Sequence, residues 1–192
     1  CEPPSSAPAR QVVIVGIGGL RADALGPSLT PFLFQLAQSP GVRAGTVDVS
    51  NGRTQQTFSA PGWITVLTGR WAREHGILDN DSAGPIKVET LFERVEEDVP
   101  GSRSLLVTQW KRLYELVRGR LDPRSGLHHA TVLRADDAAI EQEVLGTWRR
   151  CQPQLAFIHL DAVDQAGHRG AFDVGDAGYA AAVRETDGRL RR

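Results

Sequence analysis

The sequence has no methionine and only two cysteines, Cys1 and Cys151, among its 192 residues. A chain without a starting methionine is expected to have lost residues upstream of Cys1. Two cysteines imply no disulfide framework, so stability has to come from a core, and the chain is long enough to bury one. No apolar run approaches the roughly 20 residues that a membrane helix needs. Charge of either sign is also not in excess: 22 Lys and Arg stand against 23 Asp and Glu, for a net charge of −1. The arginines are scattered among acids, so no nucleic-acid-binding role and no attraction to anionic lipid are expected. What remains is ordinary for a globular protein, with 41% hydrophobic and 23% charged residues.

Cys1 is followed by Glu-Pro-Pro-Ser-Ser-Ala-Pro-Ala, which builds no packed element. This start resembles a bacterial lipoprotein after signal cleavage. The resemblance implies an exported protein, periplasmic or at the cell surface, whose only tie to a membrane is acylation of Cys1. The alternative is a boundary that falls at a cysteine by chance. If Cys1 is acylated, Cys151 is expected to be a buried lone thiol. Residues 1–10 are assigned to the tether and 11–192 to one folded domain.

Along that domain short apolar runs alternate with helical patterns. Gln11–Ile17 (QVVIVGI), Val42–Val49, Ser104–Thr108 (SLLVT) and Leu155–Leu160 (LAFIHL) read as strands, the first a buried parallel one. Thr30-Pro31 reads as a helix start with a capping hydroxyl. Further helices are expected over Trp63–Thr68, leaving the Ser59–Gly62 turn, and over Glu89–Glu97, Trp110–Val117 and Asp136–Arg150, with a last one from about Tyr179. Leu121–His129 and the segment after Leu160 read as loops. This order predicts an α/β sandwich with a mostly parallel sheet and helices on both faces. Sites in such sheets form at the carboxyl ends of strands.

Chemistry concentrates in Thr57–Asn80, TFSAPGWITVLTGRWAREHGILDN. Ser59 stands just before Pro61-Gly62 at the mouth of a helix, where unpaired amides attract an oxyanion. Serine in that position is also an ordinary helix cap. A second segment, Leu160–Gly170 (LDAVDQAGHRG), carries Asp164 and His168, both normal zinc ligands.

Taken together, these strings resemble the alkaline phosphatase superfamily, nearest its phosphodiesterase and nucleotide-pyrophosphatase branch. In that superfamily a nucleophile lies two residues before a proline, then come Leu-Thr-Gly, His-Gly-Ile/Val and Asn. Here these are Ser59, Pro61, Leu67-Thr68-Gly69, His75-Gly76-Ile77 and Asn80, and the register selects Ser59 over Thr57. The resemblance implies that Ser59 is the nucleophile, that Asn80 holds the substrate phosphate, and that Asp164 and His168 bind one metal. His75 is expected to support the loop, and His159 and Asp161 to be structural or to stand behind the ligands. The implied activity is hydrolysis of phosphate mono- or diesters through a serine phospho-enzyme with two divalent ions, usually zinc. A phosphorylated small molecule or ester is the expected partner.

Two departures bear on the metal. Val12–Leu25 (VVIVGIGGLRADAL) resembles the first strand and turn of the superfamily, but Gly18 stands where a ligand aspartate is found. Asp23, five residues on, is a poor substitute. Nothing after Asp187-Gly188 matches the later Asp-His-Gly and final histidine of the superfamily. These departures leave open a truncated or degenerate relative that binds without turnover. A sulfatase is disfavoured, because Trp63 stands where a sulfatase signature has arginine.

Overall fold

The computed structural model describes residues 10–43, 45, 55, 57–118, 129–132 and 136–192. Four parallel strands form one sheet: β1 (Val12–Ile17), β2 (Ser104–Thr108), β3 (His129–Val132) and β4 (Leu155–Leu160), in the order β1-β4-β2-β3. β2 is buried along its whole length and β4 nearly so. Their side chains alternate between faces, as a period of two demands. Leu106 and Phe157 point to a core shared with Ile64 and Leu67 of α2 (Ser59–Thr68), Phe92 of α4 (Leu91–Asp98) and Leu113 of α5 (Lys111–Arg118). Leu105, Val107 and Ala156 point the other way, toward Ile140 of α6 (Asp137–Cys151). The expected two-faced α/β sandwich is what these residues build.

A third cluster closes the end of the sheet. There Val163 of α7 (Ala162–Arg169) and Tyr179 and Val183 of α8 (Ala177–Leu190) pack with Ala24, next to the turn that follows β1. The short α1 (Pro31–Ala37) lies against α8, and the four-residue α3 (Ala72–His75) against α2.

Several expectations need correction. β1 is parallel but not buried: it forms one edge of the described sheet, and Val12, Val13 and Val15 are 56%, 47% and 37% exposed. A β-branched run signals strand but not whether the strand is central. Ser59–Gly62 is the first turn of α2 rather than a turn before it. The segment after Leu160 is helical, so Asp164 and His168 sit one turn apart on α7. Val42 and Arg43 are not in a strand, and most of the expected Val42–Val49 strand lies outside the described residues, as does nearly all of Leu121–His129. β3 was not anticipated. Cys151 is buried.

Thr30 precedes α1 as expected but does not cap it. Its hydroxyl turns back to donate to the Ala24 carbonyl at 3.1 Å. The buried carboxylate of Asp187 accepts instead from the Phe32 and Leu33 amides, at 3.0 and 2.9 Å. This cap from a distant helix ties α1 to α8. Thr90 behaves conventionally and forms a reciprocal capping box with Glu93. Among the described residues no helix is long and apolar enough to cross a membrane.

Candidate active site

The carboxyl ends of β1, β4 and β2 open on a cavity of about 900 Å³. Ser59, Asn80, Asp164 and His168 all line it, and so do Gly18, His159 and Asp161. Four segments that are far apart in sequence therefore meet where the fold rule places a ligand. Trp63, Trp71, Trp110, Phe58 and Phe172 supply apolar walls. Among the described residues neither lysine nor arginine lines the cavity.

Ser59 is the first helical residue of α2, is exposed to the cavity, and makes no side-chain capping bond. The competing reading of this serine as a plain cap is thus not what the geometry shows. The oxyanion cradle at this helix mouth is narrower than a generic helix start. Pro61 has no amide hydrogen, the Gly62 amide already bonds to the Phe58 carbonyl at 3.1 Å, and the Ala60 amide donates to Asn80 Oδ1 at 2.8 Å. The Ser59 amide is left at the mouth. Because Asn80 uses its oxygen on the helix, its Nδ2 group is the part available to donate to a ligand. Arg112 holds the Asn80 loop in turn, donating to the carbonyls of Asn80 (3.2 Å) and Ser82.

His75 is fully buried behind this loop. Its Nδ1 accepts from the Ile77 amide at 3.1 Å, so the proton sits on Nε2, 3.2 Å from the Thr65 hydroxyl. It supports the loop, as expected, and does not line the cavity.

Across the cavity, Asp164 Oδ2 lies 3.4 Å from His168 Nε2. Burial pushes the Asp164 carboxyl up; His168 draws it back and Asp161 pushes it up further. The glycine between them has a steric reason: a Cβ on Gly167 would lie 2.4 Å from the Phe172 ring, which in turn meets His168 edge to face at 5.1 Å. Gly19 is likewise required, with φ +69° and space for a Cβ blocked by the Asp164 backbone at 2.7 Å. Tyr179 fixes this turn, donating its hydroxyl to the Gly19 carbonyl at 2.7 Å and accepting from the Arg21 amide at 3.0 Å. Asp23 points away, pairs with Arg21 at 2.6 Å, and does not line the cavity.

His159 is buried between Trp63 and Trp110, with its Nδ1 3.1 Å from the Thr108 hydroxyl. Asp137 was missed as a site residue. Two acids open α6; Asp136 caps it, through the Ala139 amide at 3.1 Å, while Asp137 is buried and turns toward α7. It accepts from the amides of Asp161 at 3.0 Å and Ala162 at 3.2 Å, and from Gln109. The available signal was the doubled acid, since a helix start needs only one.

The donor set is a fair match for a divalent cation: carboxylates and imidazoles face a cavity without protein cations. A Cβ on Gly18 would sit 3.2 Å from Asp164 Cβ and 3.5 Å from Asp161 Oδ1, so position 18 does face these two aspartates. Among the described residues no three such side chains already converge on one point.

Residues 12–117, more than half of the chain, match the family described as type I phosphodiesterase / nucleotide pyrophosphatase. The chain belongs to that family. No curated protein matches its sequence. Among solved structures it is similar to phosphonoacetate hydrolase from Sinorhizobium meliloti in complex with phosphonoacetate, an alkaline phosphatase superfamily member, with a TM-score of 0.62 and 18% identity. The match covers 95% of this chain and 52% of that one, so this chain spans about half the length of the solved relative. At that identity the likeness establishes the alkaline-phosphatase-like fold.

Both buried histidines have their pKa pushed down by desolvation, against opposing carboxylates. The folded protein therefore resists protonating imidazoles that the unfolded chain protonates below about pH 6.5. Stability is expected to be unaffected by these groups above that pH and to fall as pH drops below it. A urea midpoint that declines between about pH 7.5 and 5.5, and declines less in His75→Gln, is the expected result; equal slopes in the two proteins would contradict it.

Proposed function

We propose that this fold carries metal-dependent hydrolysis of phosphate mono- or diesters, with Ser59 as the nucleophile. The observation that carries the reading is the common cavity of Ser59, Asn80, Asp164 and His168. Asp164 and His168 would hold one divalent ion, and Ser59 would face a second. When bound, such ions acidify a hydroxyl and neutralise charge on a transferring phosphoryl group.

The protein's own part follows from the geometry. Asn80 Nδ2 and the Ser59 amide donate to phosphoryl oxygens and orient the phosphorus toward Ser59 Oγ. The Ser59 oxygen forms a bond to phosphorus as the bond to the ester oxygen breaks. The alcohol leaves with a proton, and water then cleaves the serine phosphoester to release phosphate or a monoester. The aromatic walls exclude bulk water and favour an organic leaving group with an apolar face.

A second reading is a domain that binds phosphorylated ligands without turnover. It is favoured by Gly18, which offers no carboxylate where the family resemblance calls for one. An exported location, periplasmic or at the cell surface, is also proposed.

The test is a panel of aryl phosphate diester, aryl phosphate monoester and aryl sulfate with zinc-loaded protein. Turnover of a phosphate ester in preference to the sulfate is expected. Saturable binding of orthovanadate without turnover of any ester would replace hydrolysis with the binding reading.

A further inference from the structure

Ile17 and Leu160 are paired in register at the carboxyl ends of neighbouring parallel strands. Gly18 and Asp161 are therefore the first residues beyond β1 and β4, side by side at the floor of the cavity. Gly18 has no side chain, and the space that its Cβ would open into lies 3.5 Å from Asp161 Oδ1.

Asp161 is also an aspartate that does not do the usual work of its position. It is the N-cap residue of α7, yet its carboxylate makes no capping bond. Asp137 reaches across from α6 to hold the start of that helix, accepting from the Asp161 and Ala162 amides. The Asp161 carboxylate itself makes no bond to the backbone of α7. One oxygen, Oδ2, accepts from Gln165 at 2.9 Å. The other, Oδ1, receives no hydrogen bond among the described residues. Its nearest basic atom is His159 Nε2 at 4.0 Å, outside hydrogen-bond reach, on a ring whose side chain is 2% exposed and whose Nδ1 is held by Thr108. A buried imidazole nitrogen and a carboxylate oxygen thus face the same cavity without satisfying each other. Asp164 adds a second carboxylate, and no lysine or arginine among the described lining residues balances them.

From this arrangement we infer that Asp161 is a metal ligand, supplying from β4 the carboxylate that β1 lacks at Gly18 and serving the ion on the Ser59 side of the cavity. The inference rests on the metal-dependent reading above. It also gives the glycine a reason: an aspartate at position 18 and one at 161 would compete for one space.

The experiment is zinc titration of the full chain by calorimetry, with cobalt absorption as a second readout of ligand number, in the absence of substrate. Asp161→Ala is expected to weaken the zinc equivalent it serves tenfold or more, with little change in the Tm of the metal-free protein. If that variant does not fold, Asp161→Asn takes its place. Gly18→Asp combined with the same Asp161 change is expected to restore both the affinity and the cobalt spectrum. A residue that merely shaped the loop would not be rescued by a carboxylate placed on the neighbouring strand. Loss without rescue overturns the assignment, and so does an Asp161 variant that binds zinc like the parent chain. A parent chain that binds no zinc would overturn the metal-dependent reading itself, along with this one.

Discussion

Ser59→Ala is expected to lower turnover of an aryl phosphodiester by about a thousandfold or more, while KM changes little. The asymmetry follows from where the hydroxyl sits. Its oxygen caps nothing and lies exposed at the start of α2, so removing it leaves the helix start intact. The bond that holds the helix mouth to its loop, from the Ala60 amide to Asn80, uses backbone on one side and Asn80 on the other. The Ser59 amide also survives the change, so both donors of the phosphate cradle persist. Stability should stay within about 0.5 kcal/mol of the parent chain, which makes any kinetic loss a statement about chemistry. A phosphate ester hydrolysed equally fast without this hydroxyl would remove Ser59 as nucleophile. Thr57, which lines the same cavity, would be the next residue to test.

The sheet and most helices were legible because they depend on local patterns. SLLVT and LAFIHL are too uniformly apolar to be anything but interior, and they became β2 and β4 to the residue. The same reasoning overreached at β1. Its valines resemble those of a central strand, but no strand among the described residues lies beyond it, and sequence pattern does not encode neighbours. Which residues share the cavity was foreseen through resemblance rather than through spacing, because Ser59 on α2 and Asp164 on α7 come to one cavity only in the folded chain. What escaped was every interaction in which a side chain serves a distant helix. Thr30 looks like the cap of α1 until Asp187 is brought in from α8. Asp161 stands at the N-cap of α7 without capping it, and the start of that helix is held by Asp137 from α6. In both cases a nearby candidate was available and a carboxylate remote in sequence holds the helix start, which only the tertiary fold can arrange.

This hold on the start of α7 makes Asp137→Ala a strongly disruptive change outside the cavity. The carboxylate is 1% exposed and collects three donors: the Asp161 amide, the Ala162 amide and the Gln109 side chain. Deleting it leaves buried donors without an acceptor, each costing about 1–3 kcal/mol, so a stability loss of about 3 kcal/mol is expected from urea unfolding. Asp137→Asn keeps one acceptor oxygen and should fall between that variant and the parent chain. The consequence for the site is a separate matter and can be measured separately. Asp137 pins the Asp161 backbone through its amide; without that bond Asp161 can shift and cap its own helix through the Val163 or Asp164 amide, as an aspartate at an N-cap ordinarily does. Its carboxylate then leaves the space beside Gly18, so folded Asp137→Ala should bind zinc more weakly, although Asp137 does not line the cavity. Losing a residue that orients a metal ligand typically costs about 10- to 100-fold in metal affinity. Stability lost with zinc affinity intact would mean that Asp161 keeps its orientation without help; unchanged stability would mean that the two amides find other acceptors. Either result would separate the cap of α7 from the chemistry of the cavity, which the geometry joins through a single carboxylate.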